Sequence, residues 1–103
     1  MIMDKFYYRP LEPYLRLGES DIEGHGIFAA EPIESMTNLG PTHIKMPLYQ
    51  GYVRTPLGGF LNHSEDANCE LNDIYDWDDY RVYHLFAKRD IEEGEELTLN
   101  YDV

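Results

Sequence analysis

Hydrophobic positions along this chain alternate over short runs and rarely recur with a helical period. Tyr14-Leu15-Arg16-Leu17 alternates and stops at Gly18, and Ile27-Phe28-Ala29-Ala30 resumes after Gly24-His25-Gly26. Residues 14–30 therefore predict a β-hairpin. Pro32, Pro41, Pro47 and Pro56 forbid a long helix across 32–56, which reads as short strands and turns. Arg81-Val82-Tyr83-His84-Leu85-Phe86-Ala87 alternates again and is rich in β-formers. Glu95-Glu96-Leu97-Thr98-Leu99 predicts a last short strand after the turn Glu92-Glu93-Gly94. We find no internal repeat and no linker in this pattern. Many short strands with Gly and Pro turns predict a mainly β domain.

Length and charge narrow the picture. The chain has 103 residues, enough for one core, so residues 1–103 are expected to form a single domain. Eight Lys and Arg against twenty Asp and Glu give a net charge of −12. Such a surface repels phosphate, so neither direct nucleic-acid binding nor an anionic membrane surface is expected. It favours a basic partner, with simple solubility as the plain alternative. Residues 65–79 carry seven of the acidic side chains and no Lys or Arg. They read as a solvated hairpin tip or as a docking surface for a basic peptide. A calcium loop of the EF-hand kind is not present, since its glycine and terminal Glu are missing.

Cys69 is the one cysteine, so no internal disulfide is possible. With His25, His43, His63 and His84 scattered around it, no structural zinc spacing exists, and no metal is expected. No apolar run approaches the ~20 residues of a membrane span, and Met1-Ile2-Met3-Asp4-Lys5 lacks the apolar core of a secretory signal. A cytoplasmic location is the resulting expectation.

Three segments concentrate the candidate chemistry. Gly24-His25-Gly26-Ile27-Phe28-Ala29 permits a tight turn and a close backbone approach to a ligand, or simply a hairpin turn. It lacks the third glycine of a dinucleotide fingerprint. Gly59-Phe60-Leu61-Asn62-His63-Ser64, with Asn68-Cys69, sets a dense polar cluster behind an apolar pair. That cluster suits hydrogen bonding to a heterocycle edge or the fixing of an irregular loop. His63 beside Ser64 lacks the nucleophile elbow of a serine hydrolase. Ala87-Lys88-Arg89-Asp90-Ile91, followed by Gly94-Glu95-Glu96-Leu97-Thr98 and Tyr101, reads as strand, charged turn and strand. Taken alone, Tyr101 reads as a packing residue, with a catalytic role as the alternative.

In this order the three segments resemble the SET domain of protein lysine methyltransferases, over about residues 14–101. The family pattern is approximately G-x-G-[IVL]-[FY]-A, then R-F-[IL]-N-H-S-x-x-P-N-C, then A-x-R-D-I-x-x-G-E-E-L-T-x-x-Y. This chain departs from it at Gly59, where relatives often carry Arg, and at Ala67, where they carry Pro. The resemblance implies a β-clip of small curved sheets with a C-terminal pseudoknot, which brings Asn62-His63 beside Tyr101.

The same resemblance implies S-adenosylmethionine as cofactor and a lysine in a basic, histone-like protein segment as substrate. By it, the backbone of Gly24, His25 and Gly26 lies along the cofactor. Asn62 and His63 hold its amine end and adenine edge. Tyr101 is the catalytic residue where the substrate nitrogen meets the methyl group. Tyr49 and Tyr52, in the short insert, are candidates to line the lysine channel, with packing as the alternative. Cys69 is expected in the core.

Relatives carry a further segment after the last tyrosine, whereas only Asp102 and Val103 follow here. The missing wall would come from Phe6, Tyr7 and Tyr8 or from a second copy of the chain in a homodimer; without it the domain would bind cofactor poorly or not at all. Action on histones would make the location nuclear, and a viral source would put it in the host cell interior. The rival reading is a non-catalytic SET-like module that binds a basic partner through its acidic surface.

Overall fold

The computed structural model describes residues 11–45, 51–77 and 80–101. Its strands are β1 (Leu15–Glu19), β2 (His25–Ala29), β3 (Asn38–Lys45), β4 (Val53–Arg54), β5 (Asn62–His63), β6 (Cys69–Trp77), β7 (Tyr80–Ala87) and β8 (Glu96–Leu99). One short helix, α1 (Pro56–Phe60), lies between β4 and β5. The strands form a curled sheet in the order β1-β2-β8-β6-β7-β3-β4, with β5 pairing β8 from the side.

The expected hairpin is present. β1 and β2 pair antiparallel from Leu15↔Ala29 to Glu19↔His25, and Gly24 turns the chain with a φ of 49°. The described part of 32–56 is turns with the strands β3 and β4, as expected, and α1 begins only at Pro56. Thr55 caps α1 by accepting from the Gly58 amide, and Pro56 occupies its first turn. A side chain at Gly58 would run into the Thr42 carbonyl, so the helix sits directly on β3. The acidic stretch is a hairpin arm: β6 and β7 pair from Cys69↔Ala87 to Trp77↔Tyr80. The core is aliphatic, built on Ile27, Leu39, Leu57, Leu85, Ile91 and Leu97. Cys69 belongs to it, and burial pushes its thiol up to about 12.

The last strand makes the fold. β8 is antiparallel to β2 on one side (Ile27↔Leu97) and parallel to β5 and β6 on the other (Asn62↔Thr98, Cys69↔Leu99). The buried Asn68 holds β8 down. Its Nδ2 donates to the Glu96 carbonyl at 2.8 Å, and its Oδ1 accepts from the Thr98 amide at 2.9 Å. One side-chain amide thus supplies the donor and acceptor of a missing strand partner. Residues 62–69 are thereby closed over the C-terminal strand, which is the knot-like feature of the expected β-clip.

The structure corrects one expectation, the absence of a repeat. Phe28-Ala29-Ala30-Glu31-Pro32-Ile33-Glu34 and Phe86-Ala87-Lys88-Arg89-Asp90-Ile91-Glu92 share the pattern F-A-x-x-x-I-E, and the two arcs bond reciprocally. The Ile33 and Ile91 amides each donate to the other's carbonyl at 2.8 Å. Met36 N donates to Ala87 O and Gly94 N to Ala29 O, both at 2.8 Å. Ala29 N reaches Glu95 O and Ala87 N reaches Thr37 O. Four shared residue types leave little trace in hydropathy, because what repeats is the backbone pairing.

Candidate active site

Parallel pairing of β5 with β8 brings the second and third sequence segments together. Ser64 N donates to Leu99 O, and the Tyr101 amide donates to His63 Nδ1 at 3.0 Å. The His63 and Tyr101 rings lie 5.1 Å apart and tilted. The Tyr101 hydroxyl donates to the carbonyl of Leu61, the residue just before Asn62. Burial is the main cause that raises the Tyr101 phenol above its ordinary value. Glu23 adds to this and Arg54 opposes it. At neutral pH the hydroxyl therefore stays protonated.

Beside this pair opens a cavity of about 570 Å³. Tyr101, Leu61, Leu99 and Leu71 give it apolar walls, while Arg54, Lys88, Glu70 and His43 supply polar groups. Burial, with Arg54 nearby, lowers His43, so its ring is neutral at pH 7. The volume lies in the range of small-molecule sites, roughly 300–1,000 Å³.

The first segment meets the second on a different set of atoms. Asn62 Nδ2 lies 3.0 Å from Glu23 O, 3.3 Å from His25 O, 3.0 Å from Ser20 Oγ and 2.8 Å from Glu96 Oε2. Ser20, Glu23, His25, Gly26, Asn62 and Glu96 thus form one polar cluster, with Gly24 in the turn beside it. None of them, nor His63, lines the cavity. Leu61, joined to Asn62 in the chain and to Tyr101 by hydrogen bond, connects the two.

Gly26 has a structural reason of its own. A Cβ there would collide with the Glu96 carboxyl group, so the glycine makes room for a protein side chain. Ser20 and Glu96 went unread in the sequence as members of the site. Ser20 lies just ahead of the first segment and Glu96 in the predicted last strand, and only the sheet register shows that they meet. Tyr52 packs edge-on against His43 and Tyr83, with Lys45 Nζ 6.0 Å from its ring. It is half exposed and is not a wall of the cavity, although its neighbours His43 and Arg54 are. Tyr49 and the aromatic arm Phe6, Tyr7 and Tyr8 lie outside the described residues. No group of His, Cys, Asp and Glu suited to a metal occurs among the described residues. No helix among them is long and apolar enough to cross a membrane.

A family model, curated relatives and solved structures resemble this chain. The SET domain family model matches residues 45–102, more than half of the chain. "Probable histone-lysine N-methyltransferase set-23" of Caenorhabditis briggsae is 43% identical over 51 residues, 50% of this chain and 21% of that protein. An H3 lysine-36 specific histone-lysine N-methyltransferase of Mycosarcoma maydis is 46% identical over 46 residues, 45% of this chain and 5% of that protein. The chain thus spans about a fifth or less of the length of these relatives.

Among solved structures, Plasmodium falciparum PFL0690c superposes with a TM-score of 0.71 at 19% identity. The match covers 87% of this chain and 94% of that one, and shows a shared fold. Chaetomium thermophilum Polycomb Repressive Complex 2, in an autoinhibited conformation bound to S-adenosylmethionine, gives 0.68 at 25% identity. That match covers 84% of this chain and 15% of that one. The clamped C-terminal strand, the Asn62-His63 pair beside Tyr101 and these matches agree: the chain belongs to the SET domain family.

Proposed function

We propose that the chain is a single-domain, S-adenosylmethionine-dependent protein lysine N-methyltransferase acting on a basic protein segment. The observation that carries the reading is the Tyr101 hydroxyl held on the Leu61 carbonyl at the wall of a cavity, one residue from Asn62-His63. The names of the relatives and the cofactor of the Polycomb structure point the same way.

The residues present suit that cofactor. Its ammonium needs oxygen acceptors, and Asn62 Oδ1 accepts no bond among the described residues, with Glu96 beside it. Its adenine needs a polar edge, which the His63 ring offers. Bound S-adenosylmethionine supplies a methyl group made electrophilic by a sulfonium.

The chain's own part is to orient and to desolvate. Tyr101, kept as a neutral phenol, and the Leu61 carbonyl offer oxygen atoms to the N–H groups of an incoming amine and so aim its lone pair. A free lysine, with pKa ~10.4, must shed its proton first. Arg54 and Lys88 on the cavity wall disfavour the ammonium form there, against the opposite pull of Glu70. The net charge of −12 gathers basic segments from solution. By the same reading, a histone substrate would put the action in the nucleus. A homodimer is part of the same proposal, which analytical ultracentrifugation with and without cofactor checks.

Transfer of tritium from labelled cofactor to a Lys-rich peptide tests the activity. Tyr101→Phe should lower the rate by about 10²-fold while peptide binding persists. A wild-type protein that binds the peptide but shows no transfer and no heat with cofactor would be a binding module.

A further inference from the structure

Asn62 sits among four hydrogen-bond acceptors, yet its side-chain nitrogen carries only two protons. The shortest contact, 2.8 Å, is to Glu96 Oε2. A carboxylate only accepts, so the amide must face it with nitrogen. Flipping the amide would set Oδ1 against a carboxylate and two main-chain carbonyls, losing every bond and leaving acceptors in contact.

Glu96 is itself held. The Ser20 hydroxyl shares its single proton between the two carboxylate oxygens, at 2.7 and 2.8 Å. Ser20 in turn accepts from the amides of Ile22 and Glu23 in the β1–β2 turn. The order of support runs from turn backbone to Ser20, to Glu96, to Asn62. Ser20 and Glu96 are 76 residues apart and Glu96 and Asn62 are 34 apart. The cluster therefore exists only because β8 lies beside β2 and β5.

From this geometry we infer that Glu96 and Ser20 are positioning residues. They lock the Asn62 amide so that its carbonyl oxygen is the end offered to the ammonium group of the cofactor. The inference rests on the reading that the chain binds S-adenosylmethionine, and it adds which residues prepare the site for it. Gly26 belongs to the same device. A methyl at 26 would displace the Glu96 carboxyl group and stand 3.2 Å from Asn62 Nδ2. The glycine is there to admit the lock, which differs from the close approach of a ligand.

Calorimetry with S-adenosylmethionine, paired with hydrogen exchange of the Asn62 side-chain amide by NMR, tests this. Glu96→Ala should weaken cofactor binding about tenfold and speed exchange of the Asn62 Nδ2 protons. Glu96→Gln keeps one acceptor toward Asn62 and should stay within about threefold of wild type. Gly26→Ala should behave like Glu96→Ala, and adding it to Glu96→Ala should cost little more, because the carboxyl group it strikes is gone.

Unchanged binding or unchanged Asn62 protection in Glu96→Ala overturns the inference. So does a full second penalty from Gly26→Ala in the Glu96→Ala background, which would mean that the glycine serves the ligand directly. A wild-type protein that binds no cofactor sinks the functional reading instead, and the exchange data then decide by themselves whether Glu96 locks Asn62. Circular dichroism of each variant separates these results from loss of fold.

Discussion

The two reciprocal arcs, residues 29–37 and 87–95, have one backbone and two chemistries. Each places an isoleucine in the core, Ile33 at 4% and Ile91 at 1% exposure. Each closes with a short turn bond, Thr37 N to Glu34 O and Glu95 N to Glu92 O. Each needs a left-handed residue at the same step, and there they part: Gly94 has a φ of 89° and Met36 a φ of 71°. The side-chain bonds are one-sided as well. Asp90 accepts from the Ser35 amide at 2.7 Å, while Pro32, its counterpart, has nothing to return. Arg89 grips Glu95 at 2.8 Å, and Thr37 stands where Glu95 does in the other arc. Main-chain pairing is thus the shared constraint, since every buried N–H and C=O must find a partner. Side chains are free to diverge wherever that pairing survives.

Truncating the two isoleucines gives the largest expected effect. Ile33→Ala and Ile91→Ala should each cost ~2–5 kcal/mol in urea unfolding. The two should be coupled in the double variant, because the residues pair with each other across the two arcs. Equal and additive losses would mean that the arcs fold as separate pieces.

The left-handed step comes next. Gly94→Ala meets no atom within 4 Å, so its cost is conformational alone, about 1–2 kcal/mol. Met36→Gly removes the same strain but adds unfolded-chain entropy of ~0.5–1 kcal/mol. It should therefore stabilise by no more than about 1 kcal/mol. Met36 is 65% exposed, so little packing is lost. Differential scanning calorimetry of the pair checks both signs, and destabilisation by Met36→Gly would show that the methionine packs in solution.

The smallest effect is electrostatic. The Arg89 guanidinium, with the Glu92 amide, holds the Glu95 carboxyl below its ordinary value of 4.5. Its folded value is the depressed one, so this contribution is complete above pH 4.5. It is lost as the pH falls through the folded value. Both side chains are substantially exposed, so the pair is worth no more than ~0.5 kcal/mol. Arg89→Gln should flatten the stability profile below pH 4.5 by that amount, and 1 M salt should do much the same.

Strands and turns were legible wherever the cause was local. Gly24 and Gly94 marked turns by their freedom at positive φ, and alternation marked β1, β2, β7 and β8. Met36 gave no such mark, so the first arc passed unread. Asn68 reads in the sequence as part of a polar loop, and its clamp on β8 is visible only from the sheet. The resemblance places Tyr101 and Asn62, whereas Ser20 reads as an ordinary polar residue before the Gly24 turn and Glu96 as a strand residue.

The order of three short segments determined the family, and hydropathy with glycine and proline determined most strand positions, because those effects act within a few residues. Tertiary structure alone decided what Asn62, Glu96, Ser20 and Gly26 do to one another. Their contact depends on the register of β8 between β2 and β5, which is set by burial of Ile27, Leu97 and Leu99. No local preference of the four polar residues encodes it.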